Sequence, residues 1–558
     1  MKKTISILTM ILIFTACEDF LDIQPETDFT DDNYWTSEAN LKAFSYGLYS
    51  VFLGYGTGGF FGGDHFFYVL TDDVISLDPR VEDDFPTTIP SSQSGTQWYW
   101  SDIRKTNVLI QGADKALVDE SVRDKYIAIG RLFRAVEYWE KVRAFGDVPF
   151  YDEPIESTDE EALYKARDSR VVVVDNIVAD LDYAIANLDE VDDKVHVNKW
   201  TALALKSRIC LAAATTFEYH NVDGSNPTQL YQASYDASKN LIDNGPYSLH
   251  SSYIELFTSE DLSANSEVIL MKKYNENLRH SILSFIFHEP YFGFTLDAVS
   301  SFLMTDGRPI KYDGGTHPAY TEWIFNTTDT IIKAFTSYDI PVEITANRDR
   351  RIQDIIDTTR VVFLFNQGIP MYSPAKYATY AEIEGQPTQG VQATSDCPVI
   401  RLGEILLNYA EAAFELGSIT QTDLDNTVNL LRARADVAPL TLDVGFTADD
   451  LDPTVDPLLW EIRRERRVEL MLEPFRKFDL FRWQKGDYFN RDEAFVGIKP
   501  DPSVVYEEGI NVLLNPDGYL YTQTPEDRRV LFEDNMYLYP IPADQITLNS
   551  NLDQNPGW

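Results

Sequence analysis

The chain has 558 residues, of which 89 are acidic and 47 basic, giving a formal charge of −42. A field of that sign repels nucleic acid and other polyanions, so DNA and RNA are excluded as partners and a neutral ligand fits best, although a local basic pocket can override the field for a sulfated or uronate-bearing one. With 44% hydrophobic residues the chain can bury a large core, and no Pro/Ser/Gly-rich linker divides it into blocks.

Lys2 and Lys3 precede an apolar run from Ile5 to Phe14 and then Thr15-Ala16-Cys17. A basic start, a short greasy core and small residues before a cut site predict a secretory signal over residues 1–16. The run is too short to span a bilayer, which takes ~20 apolar residues. Cleavage before Cys17 leaves that thiol at the new N-terminus, as in bacterial lipoproteins, so Cys17 is the predicted lipidation site and the lipid the expected membrane anchor. Residues 17–558 then form one domain.

Residues 54–100 read as a long irregular stretch, from "GYGTGGFFGG" to "WYW". The glycines lack the GxxxxGK[ST] pattern and follow no strand-like run, so a phosphate cradle is not indicated. Apolar residues then recur at helical spacing over 125–146, 171–188, 199–217 and 231–245. Short connections and recurrent small residues (Ala135, Ala184, Ala204, Ala213) predict antiparallel helix pairs that stack in the manner of tetratricopeptide arrays. A second irregular stretch fills roughly 271–400. Helical spacing returns at 402–416, with Gly417 placed to end the helix, and again over 424–437 and 458–483. The fold class is therefore mainly α, with long loops as the working surface, since loops of that length in a compact protein usually carry function.

Three cysteines cannot build a disulfide framework. Cys210 sits on an apolar helix where buried thiols are common, and a Cys210–Cys397 bridge is the minor alternative. The seven histidines are scattered and never form HxH or HExxH, so no metal or other cofactor is expected. In "EIRRERRVEL" and the residues after it, helical spacing offers the pairs Glu461–Arg464, Arg466–Glu469, Glu473–Lys477 and Asp479–Arg482, which predicts a salt-bridged structural helix rather than an anion site. No GxSxG elbow or papain-like cysteine context occurs, and among so many acids a glycosidase-like carboxylate pair arises by chance. The chain is read as a non-enzyme.

Aromatic residues carry the strongest site signal. In "WYWSD", Trp98 and Trp100 share one face of an extended segment and Tyr99 points away. Trp323 and the cluster at Tyr291 lie in the second irregular stretch. Flat rings suit the C–H faces of sugars, while neighbouring polar groups bond hydroxyls. The competing role for each ring is to fill the core beneath its own loop.

Several segments carry a family resemblance, in order along the chain: "CEDFLDIQPETDFTDDNYWTS" after the signal, "RLFRAVEYWEKVRAFGDVPFY", "NRDRRI" with Arg350 where the family usually has Pro, "VIRLGEILLNYAEAAFELG", "LLRARADV", "IRRERRVEL", "FRKFDLFRW", and "YPIPADQITLNSNLDQNPGW" at the end. Together they resemble the SusD/RagB outer-membrane nutrient-binding lipoproteins of Bacteroidota. The resemblance implies a tetratricopeptide-like scaffold with a loop-rich ligand face. It implies an outer-membrane lipoprotein on the extracellular face, with Glu18 and Asp19 as the surface-export signal. It also implies a SusC-like TonB-dependent transporter as partner and an oligosaccharide as ligand, with a peptide, as in RagB, the alternative; an exported glycoside hydrolase ranks third. Trp98, Trp100, Trp323 and Tyr291 fall where the family tends to place stacking residues. Asp72, Asp73, Arg80 and Asn107 lie near enough in sequence to bond hydroxyls, although Asp72 and Asp73 serve equally as local backbone caps.

Overall fold

The computed structural model describes residues 34–57, 71–76, 85–283, 292–325, 337–339, 345–364, 369–379, 392–506, 508, 513–521 and 532–558. Cys17, Glu18, Asp19, Arg80 and Tyr291 lie outside these residues.

Helices form where the apolar spacing predicts them. After α1 (Glu38–Ser45), the scaffold runs through α2 (Ser101–Lys115), α3 (Glu120–Phe145), α4 (Arg170–Asn187), α5 (Lys199–Tyr219) and α6 (Pro227–Asn244). Chain neighbours pack side by side as helical hairpins. Their starts carry side-chain caps: Asn198 Oδ1 accepts from the Thr201 amide at 3.0 Å, and Asn226 caps α6 ahead of Pro227, whose missing N–H costs nothing at that position. Small residues set the spacing. A Cβ on Gly130 of α3 would stand 2.6 Å from Ile110 Cγ1 of α2, so only glycine permits that approach. Between α5 and α6, Ser207 Oγ and Ser238 Oγ meet at 2.7 Å in the interior. The core of this unit includes Leu132, Phe133, Leu203, Ile209 and Leu241, all nearly fully buried.

The stack resumes 157 residues after α6 with α7 (Leu402–Glu415), which packs on α6, followed by α8 (Val428–Arg434), α9 (Pro457–Glu469) and α10 (Arg476–Arg482). Gly417, at φ +65°, follows α7 in the left-handed region as its position predicts. The apolar period over 424–437 and 458–483 resolves into shorter helices with turns between them. Cys210 and Cys397 are buried thiols outside any disulfide, so the minor bridged alternative is not realised.

Part of the two irregular stretches forms a sheet, which sequence patterning did not predict. β1 (Val74–Ser76), β3 (Phe292–Phe294), β4 (Ser337–Asp339), β5 (Ile356–Leu364) and β6 (Ile369–Pro374) make a five-stranded antiparallel sheet in the order β1-β3-β6-β5-β4. A separate pair joins β2 (Val268–Lys272) to β7 (Cys397–Arg401), which leads directly into α7. A second core gathers here around Phe294, Phe302, Ile352, Tyr372 and Trp323.

Buried charge links the two cores. Arg401 reaches Glu469 at 2.6 Å, Glu473 at 2.7 Å and Glu267 at 3.0 Å; Arg351 reaches Glu469 at 2.7 Å, and Lys376 reaches Glu473 at 2.7 Å. This corrects half of the expected helix-surface pairs. Glu461–Arg464 at 3.0 Å and Asp479–Arg482 at 2.8 Å form as spaced. Glu469 and Glu473 turn instead to partners distant in sequence, and Arg466 pairs with Asp479 at 2.8 Å. The reason is burial: a carboxylate removed from water requires several donors, and those come from other segments.

Candidate functional site

Among the described residues, those predicted to hold a ligand do not converge on one surface. Trp98, 2% exposed, packs edge-on against Phe145 at 4.9 Å inside the helical core. Trp100, half-buried, stands perpendicular to Trp98 and to Tyr151, at 5.6 Å from each. Asn107 is buried: its amide donates to the carbonyls of Tyr151 and Glu153 at 3.0 and 3.2 Å, and its oxygen accepts from Arg134 at 3.0 Å. Trp323, 6% exposed, packs on Tyr372 at 5.3 Å in the second core. Asp72 and Asp73 are buried as well. Arg476 grips Asp72 with two bonds of 2.9 and 2.6 Å, and Arg467 joins Asp73 at 2.6 Å and Asp297 at 2.7 Å. Burial alone would raise the Asp72 carboxyl, but Arg476 and Arg467 hold it below its ordinary value; for Asp73 burial wins and its carboxyl is raised. As placed, Trp98, Trp323, Asp72, Asp73 and Asn107 are structural, because each is closed in by protein neighbours.

The open site lies beside Trp98. A cleft of about 610 Å³ is lined by Tyr99, Gln97, Phe52, the Glu137–Lys141 turn of α3, and Phe475 and Phe478 at α10. That volume is within the ~300–1,000 Å³ usual for ligand pockets. Alternation along the Trp98-Tyr99-Trp100 segment holds as predicted, but its sense is reversed: Trp98 anchors the segment inward, and Tyr99, 44% exposed, faces the cleft. Nothing in the sequence singles out Tyr99, and Trp139 and Glu137, 7% and 8% exposed, sit in the middle of a strongly periodic helix. An unusual pairing of Trp with two glutamates in "VEYWEK" was the available signal.

Charge at this end of the cleft is concentrated on α3. Lys141 Nζ donates to the Gln97 carbonyl at 2.8 Å and lies 3.9 Å from the centre of the Tyr99 ring, which fixes the ring's back face. Burial lowers the Lys141 ammonium below its ordinary value against the pull of Glu137 and Glu140. Burial also pushes the Glu137 carboxyl up to about 7, with Asp102 and Glu140 adding like charge and Lys141 opposing. On the far wall Arg143 covers the Phe478 ring at 3.5 Å and Arg208 the Phe475 ring at 5.1 Å. The cleft thus offers aromatic faces beside the largely buried Glu137 carboxyl, which donates or accepts a hydrogen bond near neutral pH, and the Gln97 amide, with the Lys141 ammonium held behind the Tyr99 ring. Such a set suits a ligand with apolar faces and hydroxyl edges.

Comparison with known proteins fixes the lineage. A family model described as the SusD family matches residues 290–558, and a second, described as starch-binding associating with outer membrane, matches residues 89–201. The chain belongs to the SusD family. A SusD-like protein of Bacteroides ovatus is 23% identical over the whole chain and 98% of its own length. SusD-like protein P2 of Formosa agariphila is likewise 23% identical, over all of both chains. SusD-like protein P25 of the same organism is 25% identical over about half of each chain. Among solved structures, a SusD-like carbohydrate binding protein of Bacteroides fragilis superposes with a TM-score of 0.69 at 21% identity, covering 93% of this chain and all of that one. A second SusD-like protein of B. fragilis gives 0.67 at 21% identity, over 95% and 99%. The expected SusD-like fold, a helical scaffold with a loop-rich region, is therefore observed, and the five-stranded sheet within that region is an addition to the expectation. The second model's span, 89–201, takes in Gln97, Tyr99, Glu137, Trp139 and Lys141, so the Tyr99 wall belongs to a part of the chain with SusD-family character.

Proposed function

We propose that the protein is a non-catalytic, lipid-anchored receptor on the outer face of the outer membrane. It captures oligosaccharides in the Tyr99 cleft and delivers them to a SusC-like TonB-dependent transporter. The observation that carries this reading is the cleft itself: an exposed tyrosine backed by Lys141, with Trp139, Phe475 and Phe478 nearby and Glu137 and Gln97 positioned for hydroxyls. The family description, starch-binding associating with outer membrane, supports both the ligand class and the location. Cys17 supplies the anchor, with Glu18 and Asp19 directing it outward. Among the described residues no helix is long and apolar enough to cross a membrane, so inward transport falls to a partner.

Incubation with a panel of polysaccharides and a cationic-peptide library tests the ligand class. Retention of one or more oligosaccharides without new reducing ends supports the reading, whereas retention of peptides alone moves it to the RagB type. One observation favours a hydrolase: the Glu137 carboxyl, raised to about 7 beside Asp102 in a cleft, has the protonation a general acid needs. Reducing ends that appear with the native chain and vanish in Glu137→Gln establish hydrolysis instead.

A further inference from the structure

A second hollow, about 290 Å³, adjoins the cleft and shares Phe52 and Val399 with it. Tyr46, 48% exposed, forms an open face; the His196 ring lies 5.6 Å from it at 31°, and Lys42 Nζ approaches it at 5.9 Å. The platform is held firmly. Tyr49 packs edge-on against Phe133 at 4.9 Å, and its hydroxyl accepts from the Val197 amide at 3.0 Å. Lys272 and Lys273 line the same hollow.

The charge of this lining departs from that of the chain. Acidic residues outnumber basic ones 89 to 47, yet among the described residues the hollow is lined by two lysines and a histidine and by no carboxylate. Carboxylates stand behind: Asp193 holds His196 at 2.5 Å, and Asp261 lies 3.4 Å from Lys273, in a pair whose side chains are 61% and 47% exposed. An exposed pair of that length is worth little, so an incoming anion exchanges for Asp261 at small cost. A basic hollow within a strongly negative surface also concentrates the attraction for an anionic group at one place.

We propose that the Tyr46 hollow is a second subsite that takes an acid-bearing sugar unit, a uronate or a sulfate ester, of an oligosaccharide whose neutral part lies in the Tyr99 cleft. This rests on the cleft reading above and replaces the expectation of a wholly neutral ligand. The Tyr46 ring stacks the sugar face and Lys273 meets the anion, while Lys272 Nζ is held by the Leu53 carbonyl at 2.8 Å and adds only its charge to the hollow. The two hollows share a wall, so one chain several residues long spans both, which favours oligomers over monosaccharides.

Calorimetric titration with matched pairs tests it: oligogalacturonate against its methyl ester, and a sulfated carrageenan oligosaccharide against its desulfated form. The native chain is expected to bind one acidic member at least tenfold more tightly than its neutral counterpart, with an advantage that shrinks as salt is raised; the pair that responds identifies uronate or sulfate. Lys273→Gln alters an exposed side chain and should abolish the advantage while leaving neutral binding unchanged, whereas Tyr46→Ala removes the stacking ring and should weaken both members of the responding pair. If a neutral oligosaccharide binds through Tyr99 but charge makes no difference, the second subsite is wrong and the cleft reading stands. If neither member of either pair binds, and the polysaccharide panel is also silent, both readings fall.

Discussion

Trp98 and Tyr99 are adjacent in sequence and point in opposite directions: the Trp98 ring is 2% exposed against Phe145, and the Tyr99 ring is 44% exposed toward the cleft. The inward ring holds the segment and the outward ring is presented. The roles of the two residues therefore separate cleanly under mutation.

Removing Trp98 should act on stability. Trp98→Ala is expected to cost roughly 3–5 kcal/mol, as large-to-small changes of buried aromatics do. Trp323→Ala should behave similarly in the second core, where its indole N–H has no hydrogen-bond partner among the described residues. Chemical denaturation of each variant checks this; a wild-type midpoint for either would show that its ring is not core.

Glu473 accepts from Arg401 at 2.7 and 2.9 Å and from Lys376 at 2.7 Å, wholly within the interior. Glu473→Gln leaves two buried cations short of a counter-charge and should destabilise by about 3–5 kcal/mol. Arg401→Met should do the same by taking from Glu267, Glu469 and Glu473 the cation that all three share, leaving each short of a donor. Loss of under 1 kcal/mol in denaturant titration would show that the network is dispensable.

Acid should dismantle this network. Burial alone would raise the carboxyls of Glu473 and of Glu411, which pairs with Arg482 at 2.6 Å in the interior, but their arginines, and Lys376 for Glu473, bring both down to about 2. A carboxyl with a folded value below its ordinary ~4.5 gives stability that is complete above that value and is lost as the pH falls through it toward 2. Melting temperature should therefore drop steeply between pH 4.5 and 2. Unchanged melting at pH 3 would contradict the assignment.

Glu137 should act in the opposite sense. Its folded value near 7 exceeds the ordinary one, so its contribution is complete below pH ~4.5 and is lost as the pH rises to 7. Comparing the native chain with Glu137→Gln across that window should show the native chain losing on the order of 3 kcal/mol relative to the variant. Parallel curves would place the carboxyl in water.

At the N-terminus, Cys17→Ala should release the protein from the membrane fraction, and replacing Glu18 and Asp19 should leave it anchored but shielded from external protease. Fractionation and protease shaving read these out. Wild-type behaviour of both variants would remove the anchor from the account.

The helices were legible because each repeats one apolar face over several turns, and α3, α4 and α5 begin and end within a few residues of the predicted limits. The sheet was not, because its strands, three of them only three residues long, are scattered from Val74 to Pro374. β1 pairs with β3 across more than two hundred residues, and no local period records that. The charged pairs divide by the same rule. Asp479–Arg482 depends on spacing within one helix, whereas Arg401–Glu469 depends on how distant segments meet. At the site, period-two alternation around Trp98 was readable, but the direction of the core was not, since that is set by Phe145 of α3. A Trp-Tyr-Trp triplet looks like a stacking platform from either side, and only packing shows that the least apolar of the three rings faces out.

Titration of Tyr99→Ala with the best-binding oligosaccharide from the panel tests the central claim most directly. The variant should bind at least tenfold more weakly than the native chain, a loss of about 1.4 kcal/mol or more, with its melting temperature nearly unchanged because the ring is exposed. Native affinity in a folded Tyr99→Ala protein would contradict the cleft as the place where this SusD-family chain holds its ligand.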